Sequence, residues 1–381
     1  MPEVPRESFD LGRLDELFHL YHAETQRLLG YPCTATFDYS PLYRFLAFPL
    51  NNVGDPFRPS NTRLQTHELE REVLAMFAGF THAPSESYWG YVTNGGTEGN
   101  MHGLFLSSEL YPTGIVYHSE DTHYSVSKLL RAMRIPHRVI RSRPDGSIDL
   151  EHLSETVGSH RDVPAIIFAN IGTTMKGAVD DLAGIGQVLR QHAIKESYIH
   201  ADAALSGMIL PFVTDPPPWD FAAGVDSIAI SGHKMIGSPF PCGVTLAKKS
   251  NVAVIARGIE YTGSIDTTIA GSRNAFAPLF LWYALKTVGV KGFTSRVRSC
   301  LEMADYACDR LNASGHNAWR HPHSNTVVFD RPSAAVIHKW QLAVTGKIAH
   351  VMAMPQLTRE HVDELVADMN REREPHGSRS Q

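Results

Sequence analysis

Between residues 114 and 231 the chain alternates short apolar runs with amphipathic stretches, and this alternation restricts the fold more than any other feature. The runs are residues 114–117, 137–140, 165–170, 197–201 and 226–231. Each has the length of a strand, and a run that is apolar throughout suits a strand covered on both faces. Between two of them, residues 181–194 carry Leu182, Ile185, Val188, Leu189 and His192 at helical spacing. Residues 66–80 do the same with Leu69, Val73 and Phe77. Strand–helix alternation predicts an α/β fold with a mostly parallel sheet and right-handed crossovers. Such sheets take their ligands beyond the carboxyl ends of the strands.

Reactive residue types gather at those ends. The apolar run through Ile230 finishes in Ser231-Gly232-His233-Lys234, and the chain then turns on Gly237 and Pro239. An amine carried out of bulk water there loses stabilisation of its ammonium form. Its pKa falls and it becomes a usable nucleophile for Schiff-base chemistry. Most lysines are solvated surface charges, so Lys234 alone decides nothing. Upstream, Tyr198-Ile199-His200 leads into Ala201-Asp202-Ala203-Ala204, where small residues leave room for a flat ring. An aspartate after a strand commonly caps a helix. The other reading is an anion that keeps a pyridine nitrogen protonated. Lysine and aspartate together are the minimal constellation for pyridoxal phosphate.

The phosphate needs a cradle, and Thr93-Asn94-Gly95-Gly96-Thr97-Glu98-Gly99 offers one before a helix-like continuation. Glycines let backbone N–H groups approach an anion, and a helix N-terminus adds a positive dipole end. Taken alone such a loop is more often a plain turn. No Gly-Lys-Ser/Thr follows it, so it is not a Walker loop, and it does not fit the dinucleotide fingerprint. Asp121-Thr122-His123 and Asn170-Ile171-Gly172-Thr173 also follow apolar runs. In a chain with 20 histidines a single one usually fills a structural role, so His123 counts only through its company. At a strand end beside this set, it can stack on a cofactor ring.

The rest of the chain adds limits. Of 381 residues 43% are hydrophobic and 20% charged, enough apolar material for a large core. A net charge of −5 argues against a nucleic-acid or membrane surface. Cys33, Cys242, Cys300 and Cys308 are widely spread, with no metal-ligand spacing, and read as reduced thiols. No signal pattern or membrane-length apolar stretch is visible, so a cytoplasmic location is expected. Residues 1–55 suggest a helix and an extended arm, and residues 56–288 the cofactor domain. Residues 289–370 suggest a small α+β domain: a helix over 297–311, strands over 324–329 and 348–354, and a helix from Thr358. Residues 371–381 read as a polar, disordered tail.

Taken together, these segments resemble the group II pyridoxal-phosphate-dependent amino acid decarboxylases. The nearest likeness is to bacterial histidine decarboxylases, with plant-type serine decarboxylases next. The likeness runs from about Phe37 to Val366 and rests on residues 88–100, 122–126, 169–174, 200–207 and 231–234. It implies the aspartate-aminotransferase type of fold, fold type I, with a large cofactor domain and a small C-terminal one. Lys234 would carry the cofactor as an imine, Asp202 would bond the pyridine nitrogen, and His123 would stack on the ring and position substrate. Gly96, Thr97, Ser231 and His233 would hold the phosphate, Thr173 would support the ring or the phosphate, and Gly95 and Ala204 would complete the cofactor-binding set. Such proteins work as homodimers or dimers of dimers, and residues near Thr267 to Arg273 would reach the neighbour's cofactor.

The implied reaction is α-decarboxylation of an L-amino acid, histidine to histamine first and serine to ethanolamine or a specialised substrate second. Transamination or aldol cleavage uses the same lysine and aspartate. His123, Lys234 and Tyr261 are candidates for the proton returned to Cα. One departure touches selectivity. The family reads Gly-His after Gly271-Ser272-Arg273-Asn274, where this chain has Ala275-Phe276. If that pair borders the substrate, the pocket is tighter and more apolar; otherwise Phe276 packs against Phe280 at helical spacing.

Overall fold

The computed structural model describes residues 11–260 and 263–373. The chain opens with helix α1 (Leu11–Thr25) and a 3-10 turn over Ser40–Ala47, then strand β1 (Asn51–Val53) and α2 (His67–Phe80). The central part runs β2 (Tyr88–Thr93), α3 (Gly96–Leu110), β3 (Ile115–Ser119), α4 (Tyr124–Ala132) and β4 (His137–Ile140). It continues with α5 (Leu150–Gly158), β5 (Ala165–Asn170), α6 (Leu182–Gln191), β6 (Ser197–Asp202), β7 (Ser227–Ser231) and β8 (Gly243–Lys248). Next come α7 (Lys249–Val252), β9 (Arg257–Ile259), β10 (Ser264–Asp266), β11 (Ser272–Asn274) and α8 (Phe276–Ala313). The chain closes with β12 (Thr326–Asp330), α9 (Ala334–Lys339), β13 (Ala343–Thr345), β14 (Ile348–Met352) and α10 (Arg359–Arg373).

A seven-stranded sheet in the order β2-β8-β7-β6-β5-β3-β4 forms the middle layer. Strands β3 to β7 are mutually parallel. Strand β8 runs antiparallel to both of its neighbours, β2 and β7. Two reversals return β2 to the common direction, so the glycine loop after β2 opens at the same edge as the ends of β6 and β7. The parallel strands β3, β5 and β7 are buried at every position, as expected of a sheet covered on both faces. Alternate side chains feed two different cores. Val116, Ile166, Phe168 and Tyr198 enter one, and Tyr117, Ile167, Ala169 and Ile199 the other.

The predicted strands and the helices α2 and α6 form where the periodicity places them, with Thr66 and Asp181 as N-caps. The apolar pieces that become β2 and β8 were not read as strands. The helix expected over 297–311 is the second half of α8, a 38-residue helix broken at Gly289, whose backbone (φ 64, ψ 172) is non-helical. Before the break α8 packs on the main core through Leu281 and Leu285. After it, Phe293, Val297 and Cys300 still pack on the main core, and from Ala304 on the helix joins a separate core, Ala304, Ala307 and Leu311 packing with Val327, Val351 and Leu365. That second core lies against the antiparallel sheet β12-β14-β13. The closing helix extends through Arg373, past the start of the expected tail; the remainder of that tail lies outside the described residues.

Candidate active site

The carboxyl ends of β2, β3, β5, β6 and β7 converge on a cavity of about 210 Å³. It is lined by Gly96, Thr97, His123, Thr173, Asp202, Ala204, Ser231, His233 and Lys234, all nominated from sequence. Lys234 is half-buried just past β7, and burial pushes its amine down from the ordinary lysine value. The charges of Asp202 and Cys33 pull the other way. The arm fixes the backbone here: Thr34 N–H donates to the Lys234 carbonyl at 3.3 Å and Thr34 Oγ1 to the Met235 carbonyl at 3.2 Å.

Asp202 ends β6 and is 8% exposed, so its carboxylate depends on donors within the protein. Asn100 Nδ2 donates to one oxygen at 2.8 Å and the Ala204 N–H to the other at 3.1 Å. His123 is the N-cap of α4, and its Nδ1 accepts from the Ser125 N–H at 3.3 Å and lies 2.7 Å from Ser125 Oγ. With Nδ1 accepting, the neutral ring keeps its proton on Nε2. Burial lowers the His123 pKa, the Asp202 charge opposes this, and the Lys234 charge adds to it. The three groups are thus close enough to act on one another electrostatically.

An anion has a place beside them. Helix α3 starts at Gly96 without a side-chain cap, after Gly95 in a conformation (φ 131, ψ 177) that only glycine adopts freely. Its first N–H groups carry the helix's positive end toward the cavity. Ser231 Oγ is buried with no hydrogen-bond partner among the described residues. A β-carbon at Gly96 would sit 3.0 Å from that oxygen and 3.1 Å from Ala204 Cβ, so a side chain there would fill the cradle. Burial also lowers the His233 pKa; its Nδ1 lies 2.9 Å from the Cys242 carbonyl. Thr173 Oγ1 accepts from Ala178 N–H at 3.0 Å, which shapes the tight turn after β5.

Other nominated residues lie elsewhere. Gly95 stands next to the cavity, with a β-carbon there 3.8 Å from His233 Cε1. Ala275 and Phe276 are not among the lining residues. Ala275 is fully buried where Thr66 Oγ1 donates to its carbonyl at 2.7 Å, and Phe276 packs against the main core. Arg273 is buried in an ion pair with Glu70 of its own chain, and Thr267 Oγ1 donates to Asp55 at 3.1 Å. Tyr261 lies outside the described residues.

Sequence reasoning missed one wall. Gly30, Tyr31 and Pro32 of the arm, with Ala343, His350 and Met352 of the small sheet, also line the cavity. The two parts are laced together. Met352 N–H donates to the Leu29 carbonyl at 2.8 Å, and His350 Nε2 lies 3.0 Å from the Gly30 carbonyl. A polar residue within the apolar run 348–354, two places from Met352, was the available signal, since alternate residues share a strand face.

Residues 100–331 match the pyridoxal-dependent decarboxylase conserved domain. The chain belongs to this family. It is 46% identical to a histidine decarboxylase of Pseudomonas entomophila over 97% of this chain and 92% of that one. A histidine decarboxylase of Morganella morganii is 47% identical over 94% of this chain and 96% of its own. L-methionine decarboxylase from Streptomyces sp. 590 superposes with a TM-score of 0.85 at 27% identity, covering 95% of each chain. Glutamate decarboxylase of Lactobacillus brevis shares the fold with a TM-score of 0.81 at 17% identity, covering 97% of this chain and 93% of that one. This pyridoxal-dependent decarboxylase therefore has the fold type I architecture, and its cofactor is pyridoxal 5'-phosphate. The orphan serine hydroxyl, the uncapped helix start and the lysine–aspartate pair fit that cofactor.

Proposed function

We propose that the enzyme decarboxylates L-histidine to histamine and carbon dioxide. The observation that carries the reading is the meeting of Lys234, Asp202 and His123 on one cavity with an anion cradle, in a chain 46% identical to a histidine decarboxylase over nearly its whole length. Lys234 would hold the cofactor covalently. Its lowered pKa raises the fraction of neutral, nucleophilic amine at a given pH. Asp202, held by two donors, would face the ring nitrogen and retain its proton. Gly95, Gly96, Thr97, Ser231 and His233 would take the phosphate; Thr173 and Ala204 would flank the ring. Bound, pyridoxal phosphate supplies the electron sink for the pair released as the carboxylate leaves.

His123 is placed to orient substrate through its Nε2 proton, and it or Lys234 can return the proton to Cα. The buried walls exclude water from that proton, which favours return from a fixed donor. The wall of Tyr31, Ala343 and Met352, rather than Ala275 and Phe276, would meet the substrate side chain within one chain.

The same reading takes the enzyme as a cytoplasmic homodimer or dimer of dimers. Four free cysteines suit a reducing compartment, and no described helix is long and apolar enough to cross a membrane. Helix α1 buries no residue in its own chain and exposes Leu11 (64%), Leu14 (52%), Phe18 (69%) and Tyr21 (62%) along one stripe. An isolated helix of this length is marginal in water, so a partner surface accounts for it. Phe18→Glu should shift the species seen by light scattering toward monomer. For the division into an arm to residue 55, a cofactor domain over 56–288 and a small domain over 289–370, the separate core that Ala304, Ala307 and Leu311 form with Val327, Val351 and Leu365 supports a distinct small domain, while Phe293, Val297 and Cys300 still pack on the main core.

The deciding experiment offers the cofactor-loaded enzyme each amino acid in turn and follows carbon dioxide and amine by mass spectrometry, with Lys234→Ala as control. Histamine from histidine alone is expected. A different amine would overturn the substrate, and amino transfer without carbon dioxide would overturn the reaction.

A further inference from the structure

Behind Asp202 a single file of buried polar groups crosses beneath α3. Asn100 Nδ2 donates to Asp202 Oδ2 at 2.8 Å. Asn100 Oδ1 lies 3.0 Å from His200 Nε2, and His200 Nδ1 lies 2.7 Å from Ser227 Oγ. Asn100 is 2% exposed, and His200 and Ser227 are 0% exposed.

The direction of every bond in this file follows from its end. An ionised carboxylate only accepts, so Asn100 must present its NH₂ to Asp202. The amide oxygen then faces His200 and must accept, which places the imidazole proton on Nε2. The bare Nδ1 accepts in turn from the Ser227 hydroxyl. Burial pushes the His200 pKa down to about 3, so the ring stays neutral, as a single-proton tautomer requires. Turning the Asn100 amide over would set oxygen against oxygen at 2.8 Å.

Glycines bring the parts this close. A β-carbon at Gly103 would lie 2.2 Å from His200 Nδ1, and one at Gly99 would lie 2.8 Å from Ala229 Cβ. Without side chains at these two places, α3 settles directly on β6 and β7, and Asn100 and His200 can meet.

We propose that Asn100 and His200 are positioning residues for Asp202, forming a one-way donor relay from Ser227 that fixes the carboxylate against the cofactor's ring nitrogen. The inference rests on the reading that Asp202 faces that nitrogen. A carboxylate that loses a donor becomes more basic and keeps the shared proton for itself. Positive charge then leaves the ring, and the Lys234 nitrogen joined to it holds its own proton to higher pH.

The test uses the loaded enzyme and reads the bound cofactor by absorbance against pH, with its dissociation constant measured separately. His200→Leu and Asn100→Ala should each raise the titration midpoint by about one unit and weaken cofactor retention about tenfold. His200→Gln, which keeps an N–H donor near the Nε2 position, should restore most of both. Nitrogen NMR of His200 should find the proton on Nε2. An unchanged midpoint and affinity in His200→Leu, or a proton on Nδ1, would overturn the relay. If His200→Leu does not fold, Asn100→Ala decides by the same midpoint. Asp202→Asn separates the two claims: if it moves the midpoint while the relay variants do not, only the relay fails. If it leaves the midpoint unmoved, the role of Asp202 fails and the relay with it.

Discussion

Burial in the cavity penalises the Lys234 ammonium, and the Asp202 charge offsets part of that penalty. Burial favours the neutral amine, and the carboxylate favours the ammonium. The Lys234 amine should therefore react with an amine-selective reagent in the cofactor-free enzyme with a midpoint below the ordinary 10.5. Asp202→Asn should lower that midpoint further, because it removes an influence that raises it. Lys234→Ala should reduce amine release at least roughly a thousandfold. Borohydride reduction should then fix no cofactor to the chain. Residues of this kind were legible because each directly follows an apolar run, where an α/β sheet exposes its ligand edge. Tyr31, Ala343 and His350 were not, because distant segments bring them in and no local pattern marks where those segments dock. The Asn100–His200 contact was hidden for the same reason, although both residues lay inside motifs already singled out.

Helix α3 owes its depth to missing side chains. Gly103→Ala would push a methyl group into His200, so stability should fall by about 1–3 kcal/mol in chemical denaturation, as overpacking does. Helix α8 illustrates a different use of glycine. A β-carbon at Gly289 meets nothing within 4 Å, yet its backbone lies where only glycine is unstrained. Gly289→Ala should cost about 1–3 kcal/mol by conformation alone. Because the segment of α8 that carries the small core lies beyond the break, that variant should also change the fit of the small sheet against the cavity. A raised KM for substrate would record it. The buried parallel strands β5 and β7 announced themselves as short, largely apolar runs. Strands β2 and β8 did not, since nothing local says that a late strand will reverse and insert between two earlier ones.

The molecule as a whole carries buried imidazoles that must charge when it unfolds in acid. Burial lowers His102 to about 4 and His200 to about 3, from an ordinary 6.5. Below 6.5 the unfolded chain therefore binds more protons at these sites than the folded one, and their stability contribution is lost as pH falls. Asp180 opposes them: burial raises it to about 6 from 3.8, so between those values the folded chain holds the extra proton. Two imidazoles against one carboxyl leave a net uptake on unfolding of about one proton. Stability should drop by about 1.4 kcal/mol per pH unit between pH 6 and 4. His67, His118, His123, His233 and His350 are lowered by burial as well and steepen the fall. Denaturation midpoints measured from pH 7 downward check this, and a midpoint that rises on acidification would contradict it. The insertion of β8 also sets an order of events during synthesis. Thr93, at the end of the strand that carries the glycine loop, pairs with Gly243. A ribosome adding about 5–20 residues per second needs roughly ten to thirty seconds to span that gap. Through that interval the growing chain holds β2 without its neighbour in the sheet, so the glycine loop that β2 carries is set in place only after β8 has been made.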